Sequence, residues 1–283
     1  MKKMKKMKKN ILNAALLLCI CIFSACDKSS TTPSTTATAK CKPLTESSNF
    51  NGGVTYTYTY NTDGTLANIN YPPYNMVINY SGTSLTNPAR TTGLTDSLNT
   101  GYTGNIYTGL PTKATQFLTL DGITYRNYMI FNFSYDSKNR LVQVVEFTPN
   151  NATDYEYQVT IAYNDNDNAT SLKYETIVGT YSLTTINATG YDDKPSPYAA
   201  IKNWHLFMHA AWNNYDPAPI LQALSKNNPL GFNITGDGVN ASTISRTMAY
   251  TYNDKGFPVK RTNTNTNNSG SYSFDEVYTY QCE

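Results

Sequence analysis

The chain is poor in charge. Of its 283 residues only 15% are Asp, Glu, Lys or Arg, and 22 Lys+Arg stand against 20 Asp+Glu. Six of the cations, Lys2, Lys3, Lys5, Lys6, Lys8 and Lys9, crowd the start, so the remainder carries 16 against 20, a net of about −4. No basic stripe is left to neutralise phosphates, which excludes nucleic acid as a partner. Histidine and tryptophan are scarce, with two of each. No Gly-x-Ser-x-Gly elbow, phosphate loop or dinucleotide fingerprint occurs, and nothing calls for a cofactor. Long apolar runs are also missing: Ile11 to Phe23, broken by Asn13, is about two-thirds of the roughly 20 residues a spanning helix takes. Leu-rich and Ala-rich stretches are few, whereas 24 Tyr with abundant Thr and Asn favour strands and turns.

What is present begins with an export signal: the lysines, the short apolar run, and the small pair Ser24-Ala25 ahead of Cys26. The run Phe23-Ser24-Ala25-Cys26 resembles the lipobox of bacterial lipoproteins, with Phe where Leu is usual. That resemblance implies removal of residues 1–25, acylation of Cys26 (palmitate among the chains) and attachment to the outer membrane through the lipid. Several chains, at roughly 0.8 kcal/mol per buried methylene, hold stably where one would not. The competing reading is a plain secretory signal in which Cys26 is incidental. The face, periplasmic or cell-surface, stays open. Residues 26–40, rich in Ser, Thr, Ala and Pro without apolar periodicity, read as a lipidated disordered tether. Residues 41–283 then form a single β-rich domain. Cys41 and Cys282, at its two ends and in an oxidising compartment, are expected to pair as a disulfide; two unrelated thiols is the alternative.

Within that domain a strand–turn–strand pattern recurs. Tyr58-Thr-Tyr60-Asn61-Thr-Asp63-Gly64-Thr-Leu66 is the fullest copy; others start at Phe133, Ile161 and Tyr250. Alternating aromatic and small polar residues suit a strand with one buried face, and Asn or Asp followed by Gly or Asn supplies a positive-φ turn. Irregular spacing excludes a solenoid and points to an antiparallel meander of hairpins. The copies resemble the Tyr-Asp repeats of Rhs-type proteins, though about four copies are too few for a toxin-enclosing shell. The signal, the Tyr-rich hairpins and a late helical insert, about 198–226, together resemble an uncharacterised family of Bacteroidota lipoproteins described as having a porin-like fold. The resemblance implies an all-β curved sheet or porin-like soluble barrel and offers no catalytic residues.

The insert places Ile201, Trp204, His205, Met208, Ala211 and Trp212 at helical spacing over Tyr198 to Trp212. A second short helix starts at Asp216-Pro217 and buries Ile220, Leu221 and Leu224. The unit is expected to plug or cover an open end of the sheet. A membrane barrel wants an aliphatic mid-strand band with aromatics at the interfaces. Here Met129, Phe131, Phe133 and Tyr135, like Tyr157, Val159, Ile161 and Tyr163, put aromatics along one whole face, which fits an aromatic interior better.

Candidates for chemistry are few. His205 and His209 could share a metal on one helix face, but Leu206 stands where a zinc protease has Glu, and two partly buried histidines is the simpler reading. Asn164 to Glu175 has calcium-loop spacing, yet Asn164 and Ala169 replace the Asp and Gly such a loop needs, which leaves a solvated hairpin turn. Asp192-Asp193 and Asp275-Glu276 are acidic pairs, and neighbours on a strand point to opposite faces. Asp96-Ser97-Leu98 resembles the Asp-Ser/Thr-apolar site of Bacteroidota O-glycosylation and implies an exposed polar loop over 87–104. The expected function is a non-catalytic binding or envelope-structural module, with glycan or an envelope protein as partner. The rival is a glycan-acting hydrolase using carboxylates from separate strands.

Overall fold

The computed structural model describes residues 40–50, 53–71, 74–81, 84–92, 97–103, 110–120, 123–147, 157–176, 182–201, 217–236 and 244–283. These form sixteen strands and one α-helix. In chain order the first eight strands are β1 (Cys41–Ser48), β2 (Val54–Tyr60), β3 (Leu66–Tyr71), β4 (Tyr74–Ser81), β5 (Ser84–Thr92), β6 (Ser97–Thr103), β7 (Lys113–Leu120) and β8 (Ile123–Tyr135). The rest are β9 (Leu141–Phe147), β10 (Tyr157–Tyr163), β11 (Ala169–Thr176), β12 (Ser182–Pro195), β13 (Asn227–Gly236), β14 (Ile244–Tyr252), β15 (Pro258–Asn267) and β16 (Gly270–Cys282), with helix α1 (Pro217–Leu224) between β12 and β13.

Every strand pairs antiparallel with its successor, and β16 pairs with β1, so the meander closes into a barrel. At the closing seam Cys41 lies opposite Cys282, and a disulfide joins them with Cα atoms 4.0 Å apart. Period-two alternation sets the faces. In β10, Val159 and Ile161 are buried while Thr160 and Ala162 are exposed; in β8, Phe131 and Phe133 are buried while Asn132 and Ser134 are exposed. The outer face around the seam carries hydroxyl pairs across strands: Thr45 with Thr279 at 2.7 Å, Ser47 with Thr55 at 3.0 Å, and Thr264 with Ser273 at 2.8 Å. Ion pairs Lys173–Glu175 and Lys260–Asp275 join them. Among the described residues this part of the outer face is mainly polar, with Val54 and Val277 exposed between the hydroxyls.

The repeat seen in sequence is a turn repeated in space. Asn61, Asp136, Asn164 and Asn253 each donate their backbone N–H to the carbonyl four residues on. The residue three positions on has positive φ: Gly64 (82°), Asn139 (63°), Asp167 (61°) and Gly256 (82°). In three of the turns the Asx side-chain oxygen also accepts two backbone N–H groups, as Asn164 Oδ1 does from Asn166 and Asn168, both at 3.0 Å.

Beside these turns the ladders stop short, and tyrosine closes the gap. Tyr60, Tyr135, Tyr163, Tyr250 and Tyr280 donate their hydroxyls to the carbonyls of Pro43, Pro111, Leu141, Pro229 and Pro258 at 2.7 to 2.8 Å. Each tyrosine sits three residues past the last ladder pair of its strand, and each acceptor two residues before the last pair of the neighbour, as Gln143↔Thr160 is for Leu141 and Tyr163. Proline suits the acceptor position, because its missing N–H costs no ladder bond where the ladder has already ended. Tyr191 makes the same bond to the Ala169 carbonyl, but it sits four residues past Ser171↔Asn187. Burial raises the pKa of each of these tyrosines above its ordinary value, that of Tyr191 to about 12.

Helix α1 is packed at the tight-turn end, where β1 begins and β16 ends. Its Ile220, Leu221 and Leu224 are buried in the core with Tyr58, Phe131, Val159, Leu172 and Phe232 from the wall. The described start of the insert is not the helix expected from Tyr198. Residues 197–201 are turns, with Ala199 and Ile201 donating to Ser196 and Tyr198, because Tyr198 is drawn inward by a buried carboxylate. Trp204, His205, His209 and Trp212 lie outside the described residues, as does Cys26. Of the expected polar loop over 87–104, residues 87–92 and 97–103 lie in strands β5 and β6, while Asp96 lies outside the described residues. Pro88 falls in the shift of the β5–β6 register between Thr86 and Ala89, which is how a proline is tolerated there.

Candidate functional site

Two places gather polar side chains. The first is inside the barrel. Glu46 on β1 accepts the Tyr58 hydroxyl at 2.9 Å and also that of Tyr198 from the insert. Glu276 on β16 accepts the Tyr278 hydroxyl at 3.3 Å and pairs with Arg261 on β15. Arg261, fully buried, also donates to Gln222 Oε1 on α1, so one guanidinium ties the plug to the wall. Burial lifts the Glu46 pKa to about 7, with repulsion from Glu276 adding to it; Tyr198, Arg261 and Tyr58 pull it back. Burial alone would lower Arg261, but Tyr278, Glu276, Tyr250 and Glu46 around it hold it well above its ordinary value.

This cluster has the acids of a hydrolase without the access. Glu46 and Glu276 are 8% and 6% exposed, under Tyr198 and α1. Gln222 Nε2, Arg261 Nε and both side-chain atoms of Asn263 are buried with no hydrogen-bond partner. Sequence reading missed Glu46, because nothing local distinguishes an inward Glu from an outward one until the bulge between Pro43 and Thr45 is known. It did separate Asp275 from Glu276: Asp275 faces out to Lys260 at 2.8 Å and Glu276 faces in.

The second place is a groove of about 500 Å³ on the outside of the tight-turn end. One wall is the β10–β11 turn with Asn164, Asn166 and Asn168; the other is β12 from Ala188 to Asp193, with Asn227 at the end. It opens because β12 carries one residue more than its counterparts beyond the ladder, so β11 and β12 part after Ser171↔Asn187. Its frame is fixed. Asn168 exchanges two hydrogen bonds with Asn227, at 2.9 and 3.1 Å, and Asp192 accepts from the backbone of Lys194 and Asn228 and from Tyr252. The calcium-like spacing of 164–175 is therefore a turn followed by strand β11, and Asp192 is a framework acid. Among the described residues no three His, Cys, Asp or Glu gather as a metal site.

At the opposite end, Phe50 stacks on Tyr272 at 5.9 Å and meets Phe274 at 4.8 Å, leaving Phe50 and Tyr272 exposed. Beneath them Arg246 lies over the rings of Phe232 and Phe274, at 5.1 and 5.3 Å.

No protein-family model matches the chain, and no curated protein does. Solved structures do. A porin-like protein from Bacteroides uniformis superposes with a TM-score of 0.53 at 17% identity, over 84% of this chain and 95% of that one. A porin-like protein from Bacteroides vulgatus gives 0.51 at 12% identity, over 86% and 99%. At these identities the likeness is one of fold.

Proposed function

We propose that the chain is an outer-membrane lipoprotein, held by acylated Cys26, whose barrel stands in water as a non-catalytic binding or envelope-structural module. The observation that carries this is the filled tight-turn end of the barrel. Helix α1 sits among wall side chains with Leu221 at 0% exposure, and Gln222 is bonded to the buried Arg261. A barrel end filled by packed side chains does not favour conduction, and the mainly polar described outer face around the seam does not favour lipid. Cys41 and Cys282 lie at that same end. Glycan or an envelope protein is the partner that this reading proposes. Reconstituting the mature lipoprotein in planar bilayers tests the reading: it gives no unitary conductance, and stable channel steps would overturn it.

The rival reading, a glycan hydrolase, draws on Glu46 and Glu276, one carboxyl lifted to about 7 beside another. It requires the insert carrying Tyr198 to leave the cluster. Polysaccharide hydrolysis that disappears in Glu46→Gln would establish it.

A further inference from the structure

We propose that the groove between the β10–β11 turn and β12 binds a neutral oligosaccharide, an inference that rests on the binding-module reading above and names its site. Some of the groove's polar groups are already committed. Asn168, Asn227 and Asp192 are spent on the frame, which makes the walls rigid before any ligand arrives. The Asn166 amide and the Thr170 and Thr189 hydroxyls line the same concavity and, among the described residues, have no side-chain hydrogen-bond partner. Those are donor-and-acceptor groups of the kind that match vicinal sugar hydroxyls. Tyr191 adds an aromatic side wall, its own hydroxyl being held by Ala169. Two acids, Asp192 and Asp193, stand against Lys226 in the lining, and Asp193 is paired with Lys194, so little charge is left over and its slight negative sign disfavours anions. Ala188 is the only aliphatic residue among the described lining residues, so they form no apolar recess for peptide side chains. A volume of about 500 Å³ falls within the roughly 300–1,000 Å³ of small-ligand sites.

The opening also has a cause in the fold. Where five tyrosines close their strand gaps with a three-residue offset, Tyr191 has four, and the added residue spreads β11 from β12. Among the described residues, this closure recurs five times and is relaxed at Tyr191.

Isothermal titration of the full mature lipoprotein in detergent with gluco-, manno-, xylo- and chito-oligosaccharides tests the proposal. One of these binds, and Asn166→Ala with Thr189→Ala weakens it by roughly tenfold, whereas Tyr272→Ala at the far rim leaves it unchanged. Neither groove position is buried in the core, so both variants keep the fold, checked by an unaltered unfolding midpoint. Binding that survives the groove variants and is lost in Tyr272→Ala overturns the groove while leaving a glycan-binding module. Absence of binding by all four series overturns the groove proposal and leaves anchoring to be judged by fractionation.

Discussion

Glu46→Gln is the perturbation that reads the barrel interior most clearly. The folded protein lifts this carboxyl from 4.5 to about 7, mainly by burial and then by Glu276. At roughly 1.4 kcal/mol per tenfold change in proton affinity this corresponds to roughly 3 kcal/mol. The sign follows from the raised value. The folded state holds the proton more tightly than the unfolded chain, so the contribution is complete below pH 4.5 and is lost as pH rises through about 7. Gln keeps an oxygen for the Tyr58 and Tyr198 hydroxyls and cannot ionise. The two proteins should therefore be close in stability in mild acid, and the variant should be the more stable by roughly 3 kcal/mol near pH 8. Urea midpoints across that range, with unchanged slope, give the difference directly. Parallel curves for wild type and variant would refute the buried, proton-holding Glu46.

Other outcomes follow from the same contacts. Arg261→Met strands Glu276 in the core and should cost about 3–5 kcal/mol; Arg261→Met with Glu276→Leu should recover most of it in the same urea titration. Tyr163→Phe and Tyr280→Phe each remove one hydroxyl-to-carbonyl bond and should cost about 1 kcal/mol, additively because they lie on different hairpins. Cys41→Ser with Cys282→Ser opens a closure spanning 241 residues and should lower stability by roughly 5 kcal/mol, read as a fall in the urea midpoint; an unchanged midpoint would mean the β1–β16 ladder alone holds the seam.

Much of the fold was legible because its signals are local. Tyr58 to Leu66 announces strand, turn and strand within nine residues, and the buried face of β10 follows from alternation over 157–163. The short helix was readable from Pro217 and from the spacing of Ile220, Leu221 and Leu224, all of which are buried. What escaped is non-local. The closure of β16 on β1 depends on every intervening register, and the inward turn of Glu46 on a single bulge. Residues 198–201 read as helix by periodicity, but Tyr198 answers to Glu46, 152 positions away. One sequence signal was available and unread: Pro229 with Tyr250 and Pro258 with Tyr280, spaced 21 and 22 apart, mark the first residues of β13 and β15 and their closing tyrosines, Pro229 as the third residue and Pro258 as the first. The groove had no such mark, since it comes from one added residue in β12.

The central claim, a lipid-held barrel standing in water, is tested most directly by fractionation after the anchor is removed. Cys26→Ala, with an ordinary secretory cleavage site at the same junction, should give a protein that no longer incorporates palmitate and appears in the soluble fraction with its Cys41–Cys282 bond intact. A protein that has lost its lipid yet stays in the membrane pellet through alkaline carbonate would contradict the account, because only strands that cross the bilayer would hold it there.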